Sequence, residues 1–167
     1  KINICLTGMM GSGKSIIGRE ISKFYNFKFY DTDDEIEKKE GKTINKIFSD
    51  QGENYFRKIE EEITIFYLKK RNCVVSIGGG GICNLNIRNA IKANSYSIYL
   101  KVDMNILVRR LNNSKKRPLL NKENRFTKLN EIYDLRKKFY NKADLLVENN
   151  FDKKDIINKI KSSIGSK

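Results

Sequence analysis

The sequence predicts a parallel α/β sheet with helices covering both of its faces, and three observations lead there. Short apolar runs alternate with longer segments of 3.6-residue hydrophobic period along the whole chain. Most of the short runs, rich in Ile, Val, Tyr or Phe, are too apolar for a sheet with one wet face. Between the first run and the first helical segment lies Gly8-Met9-Met10-Gly11-Ser12-Gly13-Lys14-Ser15, a GxxxxGK[ST] turn in the strand-to-helix setting that this motif requires.

Taken in order, the first strand is expected over 2–7 and the helix opened by Lys14 over 14–25. A second strand, 28–31, ends in the acidic Asp31-Thr32-Asp33-Asp34, with helices expected at 34–40, 43–49 and 52–71. In the last of these, Phe56, Ile59, Ile63 and Phe66/Tyr67 form an apolar stripe that reads as core packing. The third strand, 73–77, runs into Gly78-Gly79-Gly80-Gly81; then come a helix at 85–92, a strand at 95–102 and a helix at 104–112. Asp103 and Asp152 are the expected N-caps of the helices that follow them, since a carboxylate accepts from free N–H groups of a first turn. Segment 113–125 is charged, nearly free of apolar residues and holds the chain's one proline, Pro118, so it reads as a long mobile loop. A helix at 126–141, a strand at 144–148 and a helix at 153–163 follow.

Composition excludes several chemistries. The chain has 167 residues, enough for one domain with a full core, and no histidine. Histidine general bases, Ser-His-Asp triads and His-ligated zinc are therefore absent. Three cysteines without a CxxC pair argue against a disulfide framework or a thiolate zinc site and fit a reducing compartment. No apolar stretch approaches a membrane span, and no signal-peptide pattern opens the chain, so a soluble protein is expected. The net charge of +14 suggests an anionic partner. Nucleic acid is the weaker choice, because the aromatic residues fall on apolar stripes or strands and Lys, Ile and Asn are enriched together, as A/T-rich codons would make them.

The glycine-rich turn points to a phosphate. Its glycines let backbone N–H groups curl inward, and the helix N-terminus adds a favourable dipole. Lys14 is placed to bridge β- and γ-phosphates, and the Ser15 hydroxyl to hold Mg²⁺. Guanine-reading NKxD signals are missing, and no acid follows the third strand, so the magnesium-side carboxylate must come from elsewhere. Asp31 and Asp33, at the carboxyl end of the second strand, should face the same crevice. Extended geometry, if it continues, puts both on one side, where one can orient a magnesium-bound water and the other accept a hydroxyl proton. The alternative is an acidic helix N-terminus, preferred for Asp34. The four-glycine run implies a ligand approaching the backbone, or else a tight turn.

In order along the chain stand the cradle, Asp31-Thr32-Asp33 with Ile36-Glu37, Ile47-Phe48 with Gly52-Glu53, and Phe56-Arg57-Lys58-Ile59-Glu60. Ser76-Ile77-Gly78-Gly79-Gly80, Arg117-Pro118-Leu119-Leu120 and Tyr133-Asp134-Leu135-Arg136 with Tyr140 follow. Together, from residue 2 to about 148, they resemble the shikimate kinases, small nucleoside-monophosphate-kinase-like enzymes. The resemblance implies a three-layer α/β/α fold with a five-stranded parallel sheet, P-loop architecture and a mobile lid. One domain, 1–167, would carry substrate-binding helices at about 33–60 and the lid at about 112–125. It implies ATP-dependent phosphorylation of shikimate to shikimate 3-phosphate by direct in-line transfer, a step of the shikimate pathway, with Mg²⁺.

Residue by residue, Gly11, Ser12, Gly13, Lys14, Ser15 and Ile16 would hold the nucleotide, with Arg110 near adenine. Asp33 would bind the ring hydroxyls and assist proton removal, and Arg57 and Arg136 would grip the carboxylate against a wall made by Gly79 and Gly80. Arg117 would swing from the lid toward the transferring phosphoryl group, making Lys14, Asp33 and Arg117 the catalytic set, and Ser15 and Asp31 would serve the metal. Gly81 departs from the small side chain usual after the triplet, which would loosen that wall. A cytoplasmic monomer is expected, acting on ATP and shikimate with no membrane or nucleic-acid partner. An organellar location and membership of a multifunctional polypeptide stay open.

Overall fold

The computed structural model describes residues 3–113, 124–150 and 152–165. Five parallel strands, β1 (Asn3–Thr7), β2 (Lys28–Asp31), β3 (Cys73–Ser76), β4 (Ser95–Lys101) and β5 (Leu145–Glu148), form one sheet in the order β2-β3-β1-β4-β5. Helices α1 (Lys14–Tyr25), α2 (Thr32–Glu40), α3 (Ile44–Leu68), α4 (Leu85–Asn94), α5 (Met104–Asn112), α6 (Arg125–Tyr140) and α7 (Lys153–Ile164) connect or follow them.

Strand alternation distributes the apolar residues to two cores. Ile4, Leu6, Val74, Ile98, Leu100 and Val147 pack with Ile17 and Ile21 of α1 and Ile156 and Ile160 of α7. Cys5, Val75 and Tyr99 pack with Ile87 of α4, Leu107 of α5, and Leu129 and Tyr140 of α6. Burial of both faces explains why the inner strands β1, β3 and β4 read as apolar runs, while the edge strands β2 and β5 stay partly exposed. Buried Asn3 is satisfied: its Nδ2 donates to the Leu68 carbonyl at 2.9 Å, and its Oδ1 accepts from the Cys73 N–H at 3.2 Å.

Helices α2 and α3 carry a separate cluster of Ile36, Ile47, Phe56, Ile59 and Ile63. Gly52 breaks the helical geometry within α3 at φ 82, ψ 173, which separates the two segments the sequence predicted as 43–49 and 52–71. Three expectations are corrected. Phe66 is 58% exposed, so the α3 stripe ends in the core at Ile63 and only partly buries Tyr67. Asp103 makes no side-chain cap, and instead its N–H donates to the Asn150 Oδ1 at 2.9 Å. Asp144 precedes β5 rather than opening it, its carboxylate accepting from the Ser97 N–H and hydroxyl, both at 2.8 Å. Asp152 does cap α7, accepting from the Lys154 N–H at 2.8 Å. The expected loop 113–125, with Arg117, falls largely outside the described residues, and Arg125 already belongs to α6.

Candidate active site

Beyond the carboxyl ends of β1, β2 and β3 opens a cavity of about 670 Å³. Gly11, Gly13, Lys14 and Ser15 line it from the cradle, Asp31 and Asp33 from the β2–α2 junction, and Gly78 and Gly79 from the glycine run. Ile16, Arg110, Asn149 and Lys153 close its other end.

The cradle links β1 to α1. The buried Lys14 ammonium donates to the carbonyls of Gly8 at 2.8 Å and Met9 at 2.9 Å, so the loop's own oxygens satisfy part of the charge. The Ser15 hydroxyl donates to Asp31 Oδ2 at 2.5 Å. The other oxygen of Asp31 accepts from the Asp33 N–H at 3.1 Å, making Asp31 the N-cap of α2. Asp31 and Asp33 both reach the cavity, but because a helix starts at Thr32 and not because extended geometry continues. Asp34 turns away, 67% exposed and 3.9 Å from Arg19, as the acidic-terminus alternative held. The Ser15 hydroxyl and Asp31 carboxylate are hard oxygen ligands side by side at the cradle, a donor set that suits Mg²⁺ completing its shell with phosphate and water. Among the described residues no group of three or more Cys, Asp or Glu could hold a metal ion by itself.

The glycine run explains itself by what crowds it. The run does make a tight turn, the Gly81 N–H donating to the Gly78 carbonyl at 3.0 Å, but none of its four glycines has a positive φ, so the turn alone does not require them. A Cβ on Gly78 would lie 2.7 Å from Asp33 Oδ1, on Gly79 3.1 Å from Arg136 Nη1, and on Gly80 2.5 Å from Arg57 Nη1. Three successive residues thus make room for three charged side chains from α2, α6 and α3. At Gly81 a Cβ would make only ordinary contacts of 3.5–3.6 Å with Glu60 and Ile87, so that glycine is not required by space.

The two arginines differ in their surroundings. Arg57 donates to buried Glu60 at 2.7 Å and lies 3.5 Å from the exposed Glu53. Burial pushes the Glu60 carboxyl above its ordinary value, against the pull of Arg57 and Arg136. Among the described residues Arg136 Nη1 is buried with no hydrogen-bond partner, a place for a ligand's acceptor. Arg110 is held by backbone, Nη1 donating to the Gly11 carbonyl at 3.2 Å and Nη2 to the Asn149 carbonyl at 3.0 Å. Ile16, 60% exposed, lines the same cavity.

Four residues of this site were not assigned roles from sequence. Glu60 and Glu61 both stand at helical spacing from Arg57, but Glu60 is the one that is buried and bonds it, while Glu61 binds Asn84 and Asn86. The Thr32 hydroxyl accepts from the Gly78 N–H at 3.1 Å. Tyr140 donates to the Gly79 carbonyl at 2.8 Å and stacks on Tyr99 at 4.9 Å, with burial pushing its hydroxyl up to about 12. Asn149, just after β5, contacts the cradle, its Nδ2 donating to the Ser12 carbonyl. Tyr140 could have been found from its place four residues after Arg136; Thr32 and Asn149 had no such local signal.

A parallel sheet in this order, with a phosphate cradle after β1 and an acid at the end of β2, defines a P-loop phosphotransferase of the nucleoside-monophosphate-kinase type. The family model for shikimate kinase matches residues 10–165, nearly all of the chain. This chain belongs to the shikimate kinase family. A shikimate kinase from Aquifex aeolicus is 34% identical over 163 residues, covering 98% of this chain and 96% of that one. One from Sulfurihydrogenibium sp. is 39% identical, covering 95% and 98%. The solved shikimate kinase from Acinetobacter baumannii, in complex with shikimate, superimposes with a TM-score of 0.92 at 33% identity, over 98% of this chain and 92% of that one.

Proposed function

We propose that this chain transfers the γ-phosphoryl group of ATP to a hydroxyl of shikimate, giving ADP and shikimate 3-phosphate in the shikimate pathway. The observation that carries the reading is the glycine run, whose missing side chains leave room for Asp33, Arg136 and Arg57 together. A small acid bearing hydroxyls answers that set: guanidinium forks take the carboxylate, and a carboxylate takes a hydroxyl.

In this mechanism Lys14 exchanges loop carbonyls for phosphate oxygens, holding the β–γ region as charge moves onto the leaving oxygen. Asp33 orients the attacking hydroxyl and accepts its proton as the new O–P bond forms and the bridging O–P bond of ATP breaks. Arg57 and Arg136 hold the carboxylate so that the hydroxyl lies in line. Ser15 and Asp31 would hold Mg²⁺, which supplies charge neutralisation at the phosphates when bound. Arg117, outside the described residues, is assigned to the transferring phosphoryl group and to excluding water. Ile16 and Arg110 are assigned to the adenine end. We further propose a single-domain monomer in the cytoplasm, supported by cysteine usage that fits a reducing compartment.

The test is ADP release with a panel of shikimate, quinate, gluconate and nucleoside monophosphates. Turnover with shikimate well above the rest is expected. A chain active on another acceptor and silent with shikimate overturns the reading.

A further inference from the structure

Asn149 lies at the end of β5, yet its side chain is built into the cradle. Its Nδ2 donates to the Ser12 carbonyl at 2.7 Å, and the residue is 6% exposed. Its own N–H donates to the Lys101 carbonyl at 2.7 Å and its carbonyl accepts from Arg110 at 3.0 Å, so the backbone around it is fixed. The contact is close enough that a Cβ on Gly13, already at φ 89, would lie 2.5 Å from Asn149 Nδ2.

A trans peptide unit is rigid, with its C=O and N–H pointing to opposite sides. The Ser12 carbonyl and the Gly13 N–H belong to the same unit. Drawing that carbonyl toward Asn149 turns the Gly13 N–H the other way. We propose that Asn149 is a positioning residue for phosphate binding: its amide aims the Gly13 N–H at the phosphate chain of the nucleotide. The geometry selects an amide at this place, because an acceptor facing the Ser12 oxygen would push the unit out of alignment. Arg110 acts beside it by holding the Gly11 carbonyl, which fixes the adjoining peptide unit, whose Ser12 N–H closes the turn onto the Met9 carbonyl at 3.1 Å.

This inference rests on the cradle binding ATP phosphates and is independent of which acceptor is used. The experiment compares wild type, Asn149→Asp and Asn149→Ala for calorimetric binding of ADP, tripolyphosphate and adenosine. It also follows the Gly13 amide resonance in ¹⁵N-labelled protein as ADP is added. Asn149→Asp preserves volume and so keeps a test if the alanine variant fails to fold. Asn150→Asp places the same new charge one residue away, at a side chain whose Oδ1 accepts from the Asp103 N–H, and serves as the charge control.

Expected is a loss of about tenfold or more for ADP and tripolyphosphate alike in Asn149→Asp, from one orienting hydrogen bond and its reversal. Adenosine binding and the KM for shikimate should stay within twofold, the Asn150→Asp control should bind ADP as wild type does, and the Gly13 amide shift on ADP addition should collapse. Unchanged tripolyphosphate binding, or a loss matched by Asn150→Asp, overturns the proposal. So does a Gly13 amide that still shifts as in wild type. A wild-type protein that binds neither ADP nor tripolyphosphate overturns the cradle reading together with it.

Discussion

Replacing Gly80 by alanine should separate the glycine run's role in binding from any role in folding. The backbone at Gly80 sits at φ −82, ψ −20, which alanine adopts freely. By limiting the unfolded chain, the substitution alone would stabilise the fold by about 0.4–1 kcal/mol. The added Cβ, however, would lie 2.5 Å from Arg57 Nη1, 2.8 Å from Nη2 and 3.0 Å from Cζ. Ordinary contact requires the guanidinium to retreat by about 1 Å. The guanidinium is the far end of a flexible side chain, so the retreat costs the fold little. It costs the clamp its geometry, because charge-assisted bonds of about 1.5–3 kcal/mol depend on alignment. The expected result is a fall in kcat/KM for shikimate of about 10- to 150-fold, with the KM for ATP unchanged and the urea midpoint equal to wild type or higher. Gly81→Ala, where the Cβ meets only ordinary contacts, should leave all three values near wild type. A Gly80→Ala enzyme whose shikimate kinetics stay within twofold of wild type would refute the reasoning, as would equal losses for both substrates.

The two arginines should respond differently to truncation. Arg57→Ala strands buried Glu60 and should lower stability by about 1–3 kcal/mol, discounted from a fully buried pair because Arg57 is 37% exposed. Arg136→Ala also takes a cation from near Glu60 but leaves the 2.7 Å bond to Arg57 in place, so its stability loss should be the smaller of the two, while both variants lose shikimate binding far more than ATP binding. Glu60 carries a carboxyl raised above its ordinary 4.5 by burial, so the folded state binds its proton more tightly than the unfolded one. Its contribution is then largest below the unfolded value and is lost as pH rises through the folded one; subtracting the Glu60→Gln stability curve from wild type should reveal that decline, and a flat difference would dismiss it. Asp33→Asn should abolish most turnover with ADP affinity intact, and normal turnover would remove its role as proton acceptor.

The fold was legible because both of its periodicities are local. Runs such as Cys73-Val74-Val75 could only be strands covered twice, and the core confirms where each alternate residue goes. The cradle was legible for the same reason: eight consecutive residues carry its chemistry. What stayed hidden depends on approach between distant elements. The glycine run announced only that something comes close; the clamp of Arg57 and Arg136 against Gly79 and Gly80 was expected from the family resemblance, and neither signal revealed that Asp33 crowds Gly78 or that Gly81 is spared. Asp31 and Asp33 were placed on one side by strand geometry, when capping of α2 does it, a choice between two local conformations that sequence pattern does not separate. Asp103 had the right residue type and place for a cap, and α5 does begin after it, but its carboxylate makes no cap bond, while its own N–H is held by Asn150 from the β5–α7 connection.

The net charge of +14 raised the question of what anion this protein awaits, and the site answers it unevenly. On the proposed reading, a phosphate arriving at Lys14 would replace carbonyl acceptors that already hold the ammonium, so the gain is the difference between a neutral and a charged partner. At Arg57 an incoming carboxylate must share the guanidinium with Glu60, which is already bonded at 2.7 Å. Arg136 has its buried Nη1 left without a hydrogen-bond partner among the described residues, while Glu60 and Tyr140 lie close enough to feel its charge. Discrimination among acceptors should therefore be sharpest at Arg136, where an analogue lacking the carboxylate leaves the buried N–H as orphaned as before. These groups are partly or wholly out of solvent, so salt should slow the approach of anions more than it weakens the bound state. The surplus of surface lysine thus bears on capture, while selection rests on a few positions where charge is buried and its partners are counted out by the fold.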